Sequence, residues 1–497
     1  MPQSAECNIL CCLLDERFLN TCDRAECRIY GTDDTDAEIE FTYDADGNLI
    51  HTQDGTGNGA DMEYDLGGRR TKTATKEKAS QQYEYDALGN ITGITDGVGN
   101  HTEYVLDKWG RIVEIRQADG NREYYGYDYA GNMTSATDGA GNTTTYEYSG
   151  TNQLAVMTDP AGGQEFYHYD AQGRLCRKTD RNGTETTYAY NIYDNLTEHR
   201  AVKTDGTGLS DSYGYTAEGL LKSAISQGMR YSYAYDALGR LTEKKASGRT
   251  LLSFEYDLNG NLTRQTDVTG KVTEYRYDSA DNIREVTTYV GDNGKKIAEY
   301  EYNADDTIKR LKNGSLYTEY AYDADRNLTG LKTLLGTDTI VDNRCTYDGN
   351  GDRLEKLQKH GTTRYSYDNM RRLAKVEYPN AAEELFYDKA GNRTKRLYNG
   401  AEELYQYDRR NRLTTYIRGG ASTQYEYDNA GNLLNDDKAR YEYDAFNRST
   451  RVETFNGNIQ INRYDAEELR HEMEENGKLV SFIFRGDEVV AEESTVM

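Results

Sequence analysis

The residues that could do chemistry are few and scattered. Six histidines (His51, His101, His168, His199, His360 and His471) fall in unrelated stretches of the 497-residue chain. A Ser-His-Asp arrangement could be drawn through any of them, so none carries weight as a catalytic centre. His471-Glu472-Met-Glu474-Glu475 lacks the second His of a helical zinc-protease motif. Gly55-Thr-Gly57-Asn-Gly59 is Gly-rich but has no helix pattern after it to form a phosphate cradle. Five cysteines (Cys7, Cys11, Cys12, Cys22 and Cys27) crowd the first 30 residues without a Cys-x-x-Cys pair or a nearby His. That spacing favours free thiols over a metal site or disulfides. Strings such as Asp44-Ala-Asp46-Gly47-Asn48 resemble pieces of calcium loops but lack the closing Glu, so turn capping is the simpler reading. Asp159-Pro160 likewise reads as a turn opener and not as a cleavage site. The expectation is a chain without catalytic residues, cofactor or metal.

What must position these residues is a repeat. Taking the second Tyr of each Tyr-x-Tyr-Asp string as a mark, 21 registers run from Tyr43 to Tyr464, spaced 21 residues apart as far as Tyr190 and mostly 20 or 21 thereafter. The next residue is Asp in 17 of 21, and the fourth after the mark is Gly in 12 and Asn or Asp in 6. These are the residues that tolerate a left-handed backbone. The residue two before the mark is Tyr in 15 registers and Phe in 2.

Each repeat therefore reads as a hairpin. Tyr83 and Tyr85 share one strand face, Asp86 opens a turn, Gly89 closes it with positive φ, and Ile91 starts the return strand. The same slots hold Tyr127, Asp128 and Gly131; Tyr233, Tyr235, Asp236 and Gly239; and Tyr425, Tyr427, Asp428 and Gly431. A second turn, as at Asp96-Gly-Val-Gly99-Asn100, leads to the next repeat. The prediction is an all-β fold: a long antiparallel sheet of about 21 hairpins, coiled into a spiral hollow shell or open barrel. At about 4.8 Å per strand the ribbon is roughly 200 Å in contour, and twist forces it to coil. Cross-strand tyrosine ladders are expected to hold it together, since a single sheet has little interior. Residues 1–36 stand apart as a Cys-containing non-repeat segment, with the repeat shell over 37–497.

Composition agrees once it is split by slot. Low aliphatic content with a net charge of −26 would otherwise read as disorder, but 45 tyrosines do not. The acidic balance excludes a general nucleic-acid binder, and no apolar run is long enough for a transmembrane helix. No Sec-type leader is visible at the N-terminus.

The Tyr-x-Tyr-Asp-x-x-Gly-Asn-Leu pattern, as at Tyr256–Leu262, resembles the signature of the YD-repeat or Rhs (rearrangement hot spot) family. The resemblance implies a β-shell like those of bacterial polymorphic toxins, toxin-complex components and teneurins. It implies a non-catalytic shell that encloses or presents a toxin or other polypeptide cargo, with a cargo or plug segment on another chain as partner. It also implies a secreted or cell-surface location. The family's core and toxin segments are not recognised after the repeats. A second reading is a cell-surface carbohydrate-binding or adhesion repeat protein, with glycans stacked on exposed tyrosines. Trp109, beside Gly110, is expected to be a packed turn residue more than an exposed anchor.

Overall fold

The computed structural model describes residues 19–22, 27–32, 38–54, 56–77, 79–291 and 293–496. Among these there are 47 β-strands and no helix. Each strand pairs antiparallel with its chain neighbour, as Ser80–Tyr85 does with Ile91–Thr95, and that strand in turn with His101–Leu106. Thirty-nine strands form one sheet and the last eight a second. The two meet at Tyr425, which interrupts the strand between Ala421–Gln424 and Glu426–Tyr427, although its N–H still donates to the Thr414 carbonyl.

The hairpin follows from the repeat slots as expected. In the Asp86 turn, the Gly89 N–H donates to the Asp86 carbonyl (3.1 Å) and the Asp86 N–H to the Asn90 carbonyl (2.9 Å). The pairing register slips by one residue between Glu84 and Tyr85, so the mark sits on a bulge. The same slip recurs at Tyr127, Tyr235 and Tyr427. Gly89, at φ 91°, needs the left-handed backbone that the slot's composition forecast. Asn152, Asp194 and even Arg326, Arg371 and Glu468 adopt it where Gly is missing. The repeats with the longest spacing lengthen their second hairpin, as in Leu328–Leu335 and Asp338–Tyr347.

Strands begin at Leu19–Cys22 and Cys27–Thr32, ahead of the repeats, and the second of these pairs with Glu38–Tyr43. Cys7, Cys11 and Cys12 lie outside the described residues, as do the side chains of Cys22 and Cys27.

The chain divides into two compact units. One comprises Met1–Gly120, Arg276–Val286 and Lys296–Ala382; the other comprises Asn121–Tyr275, Thr287–Lys295 and Glu383–Met497. The second holds a hydrophobic cluster of Ala224, Tyr231, Leu251, Leu252, Phe254, Ala466 and Ile483. A single sheet was expected to have little interior. Here the last hairpins supply one, because they pack on the strands from Leu221 to Leu262.

Candidate functional site: the turn rims and their seams

The tandem aspartates cap their own turns. Asp86 Oδ1 accepts the N–H groups of Leu88 and Asn90 (both 2.9 Å), and Oδ2 accepts the Asn90 side-chain amide (2.8 Å). Asp128 does the same with Asn132, and Asp236 with Leu238 and Arg240. The bonds from Asn90 hold the Asp86 carboxyl below the usual carboxylate range. At Asp428, burial pushes the carboxyl up, but bonds from Asn432 and Asn182 outweigh it and the net direction is down. Both carboxylate oxygens of these caps are thus spent on the turn. No cluster of three metal-ligating side chains exists among the described residues.

One slot escaped the sequence reading. The fifth residue after the mark is Asn in nine registers and Arg in seven. Where it is Arg, it ties one repeat to the next. Arg240 Nε donates to its own Asp236 (2.7 Å), and the guanidinium lies over the ring of Tyr256 (4.9 Å) and donates to the Asp257 carbonyl (2.7 Å). Arg69, Arg174, Arg412 and Arg448 repeat the arrangement over Tyr85, Tyr190, Tyr427 and Tyr464. The fork and the stacked plane explain Arg over Lys.

The tyrosines also work differently from the expected ladders. Some ring pairs exist, such as Tyr405–Tyr416 at 5.2 Å. What recurs is a hydroxyl bond. Along the chain, mark tyrosines reach back to a carbonyl of the preceding repeat: among them Tyr85 to Arg70 (2.7 Å), Tyr235 to Leu221, Tyr256 to Leu241 (both 2.8 Å) and Tyr427 to Leu413 (2.9 Å). Tyr83 instead bonds to Gln81 on its own strand. Removing one such bond should cost what a half-buried neutral hydrogen bond is worth. Tyr256→Phe is expected to lower stability by about 1 kcal/mol in chemical denaturation, with the strand pairing intact.

In each unit, the second-turn rim of an early stretch lies on the first-turn rim of a stretch about 250 residues later. In the first unit, the Asn350 side chain donates to Asp96 Oδ2 (2.7 Å), while its Oδ1 accepts the Gly97 N–H (2.7 Å). Arg326 reaches Asp54 (3.3 Å) and Thr75 donates to Asp325 (2.6 Å). The approach is so close that a Cβ on Gly97 would stand 2.0 Å from the Gly349 carbonyl oxygen. In the second unit, Asn182 donates to Asp428 (2.9 Å) and Asn411 to Asp138 (3.2 Å). Further along, Tyr231 donates to the buried Asp465, and Tyr233 and Lys244 to Glu467.

The sequence-predicted residues therefore do not converge on a pocket. Tyr85, Tyr235 and Tyr427 bond between repeats. Asp86, Asp128, Asp236, Gly89, Gly131, Gly239 and Gly431 build turns, and the glycines all have positive φ. Ile91 pairs with Tyr85 at the start of the return strand. Tyr233 and Asp428 belong to a seam. Tyr127 sits at its bulge, and Tyr425 at the sheet junction. Trp109 is 57% exposed, against the expectation of a packed residue, with Lys108 and Arg111 over its ring. Asp159 does open a turn, as read, but it also lies in the seam, beside Arg181 and Arg410.

Two family models match the chain: the Teneurin YD-shell over residues 17–226 and the RHS Repeat over residues 256–296. No curated protein matches it. Among solved structures it is similar to the TcdB2-TccC3-TEV crystal structure, with a TM-score of 0.72 at 14% identity over 92% of this chain and 31% of that one. The Photorhabdus luminescens Tc holotoxin pore gives 0.70 at 14% identity, over 95% and 32%. A TcdB2-TccC3-Cdc42 structure gives 0.66 at 15%, over 92% and 32%. At such identities the likeness is one of fold, and the chain spans about a third of the length of these structures.

Proposed function

From the premise that the chain belongs to the YD/RHS-repeat family, we propose that it forms a stretch of non-catalytic β-shell wall that encloses or presents a polypeptide cargo. One observation carries the reading: within each unit, the rim of the ribbon is hydrogen-bonded to the opposite rim of ribbon some 250 residues on. Turn-to-turn hydrogen bonds of this kind hold one pass of the ribbon against a later one, as a wall built from a coiled ribbon requires. The toxin-complex neighbours, TcdB2-TccC3 structures and a Tc holotoxin pore, support a cargo or plug segment carried on a partner chain, and an exported setting.

The net charge of −26 adds a preference. An acidic wall attracts basic polypeptide at long range, and salt weakens that attraction. Negative-stain imaging of the purified chain should show a curved wall with a solvent-filled hollow. An unfolded basic polypeptide added to it should be retained and shielded from trypsin, less so as salt rises. Images of a solid rod, with the added polypeptide digested at its free rate, would overturn the reading.

A further inference from the structure

Lys244 is a buried amine in a slot that other repeats fill with Ile94, Met157 or Val286, and its side chain is only 6% exposed. Its Nζ lies over the Tyr231 ring (4.7 Å) and donates to Oε2 of Glu467 and to the Phe484 carbonyl (3.4 Å). Glu467 stands in the turn that Asp465 caps. Asp465 Oδ1 accepts the N–H groups of Glu467 (2.9 Å) and Leu469 (3.0 Å), which fixes the turn, and its Oδ2 accepts the Tyr231 hydroxyl (3.0 Å). Tyr233, the register partner of Lys244 in the same hairpin, donates its hydroxyl to the other oxygen of the Glu467 carboxylate, Oε1. One carboxylate is thus held between an amine on one oxygen and a phenol on the other. The site lies beside the hydrophobic cluster that contains Tyr231 and Ala466.

As an ion pair, this arrangement gains little, because taking both charges out of water costs about what their attraction returns. As a neutral amide, the same atoms would carry no such cost. We propose that Lys244 and Glu467 condense to an isopeptide bond between Nζ and Cδ. The protons of the ammonium group balance the step. One passes to Oε2 and frees the nitrogen lone pair, which attacks Cδ. A second follows as the tetrahedral adduct collapses, and the third stays on the amide nitrogen. The Cδ–Oε2 bond breaks and Oε2 leaves as water, so the step needs no co-reactant. The developing negative charge falls on Oε1, where the Tyr233 hydroxyl is already aimed. Fixed neighbours raise the effective concentration of the amine at the carboxyl carbon. The bond ties the last repeats to strand Leu241–Ala246 across 223 residues of chain. It constrains the unfolded chain as a disulfide would, and reductant does not open it.

Mass spectrometry of the full chain, reduced and denatured, tests this. The wild type should be lighter than its sequence mass by one water. Its tryptic digest should hold a single species that joins the fragments carrying Lys244 and Glu467. Lys244→Arg and Glu467→Ala should each keep their full sequence mass. Tyr233→Phe leaves amine and carboxylate in place and should gain the linked form about 100-fold more slowly after synthesis, the usual loss for one oxyanion donor. A wild type at its full sequence mass would overturn the proposal. So would a missing water with the two fragments still separate, as a succinimide at Asp96-Gly97 would give, or a water loss that persists in Lys244→Arg. The wild-type mass and digest decide the matter even where a variant fails to fold.

Discussion

Titrated upward from neutral pH, the protein should unfold in one steep step soon after pH passes 10, the ordinary tyrosine value. The tyrosines that bond between repeats include Tyr190, Tyr215, Tyr235, Tyr256, Tyr302, Tyr347, Tyr367, Tyr407, Tyr427 and Tyr464, and burial raises every one of them. Tyr125, Tyr405 and Tyr441 are pushed up to about 12, by burial first and then by their bonds to Glu123, Glu403 and Asp436. Tyr231 and Tyr233 move further in the same direction, through burial and the charges of Asp465 and Glu467. A raised folded value means the native state holds its proton more tightly than the unfolded chain does. The stability so gained is complete below the unfolded value near 10 and drains away as pH climbs toward the folded values.

The chemistry makes the loss cooperative. A phenolate has no proton to give, and the hydroxyls here donate either to a backbone carbonyl, as Tyr256 does to Leu241, or to a carboxylate, as Tyr405 does to Glu403; either acceptor would then face a negative oxygen. One ionised ring loosens one repeat and exposes the next. Phenolate absorbance and far-ultraviolet circular dichroism, followed together, should therefore change at the same pH and more steeply than a single ionisation. Gradual phenolate growth centred on 10 with an unchanged circular dichroism signal would refute the hydroxyl bonds as the fabric of the sheet.

The repeat itself was legible because each slot answers a local need. Positive φ at the fourth slot selects Gly, Asn or Asp, and a capping carboxylate selects Asp, so Tyr83 to Ile91 could be read as a hairpin without coordinates. The arginine bridge was harder to see. Asn and Arg alternate in its slot, and their common task, closing on the Asp carboxylate, becomes visible only when the side chains are placed. The seams could not be read at all. Nothing local distinguishes Asp96, whose carboxylate meets Asn350, from Asp86, whose carboxylate meets only its own turn. Partners some 250 residues apart are set by how the ribbon coils, and that is a sum of small twists over a dozen repeats. The same holds for Trp109, whose exposure depends on which rims are covered.

Asp159→Asn should be the most damaging single change of a turn residue. Asp159 Oδ1 caps its turn by accepting the N–H groups of Ala161 and Gly163 (both 2.9 Å), a task asparagine can share. Its Oδ2 sits between two guanidiniums, 3.0 Å from Arg181 Nη1 and 2.7 Å from Arg410 Nε, and the carboxylate is only 6% exposed. Burial pushes this carboxyl up, but the bonds from Gly163 and Arg181 and the charge of Arg410 pull it lower still, so it is ionised at neutral pH. Arg181 has another anchor across the seam, in the Ala430 carbonyl, and pairs with Glu165 as well (3.1 Å), while Arg410 is also anchored along its own rim, by the Asn429 carbonyl of the next repeat. Asparagine keeps the shape and the cap while removing the charge both arginines share. Breaking a buried pair by deleting one partner costs about 3–5 kcal/mol, and solvent reaches Arg181 enough to favour the lower end. Because the site is sheltered, added salt should not reproduce the loss in the wild type. Asp86→Asn, with the same cap and a carboxylate that bonds only within its turn (Arg69 reaches the Asp86 carbonyl instead, 2.8 Å), isolates the capping role and should barely move the urea midpoint. The pH profile separates the two further. Asp159's contribution is complete above the unfolded carboxylate value and lost as pH falls through its lowered folded value, so the Asp159→Asn and wild-type midpoints should converge only in acid. Equal midpoints for Asp159→Asn and Asp86→Asn at neutral pH would mean that the seam contributes nothing to stability at this point, and that the turns alone hold the rim.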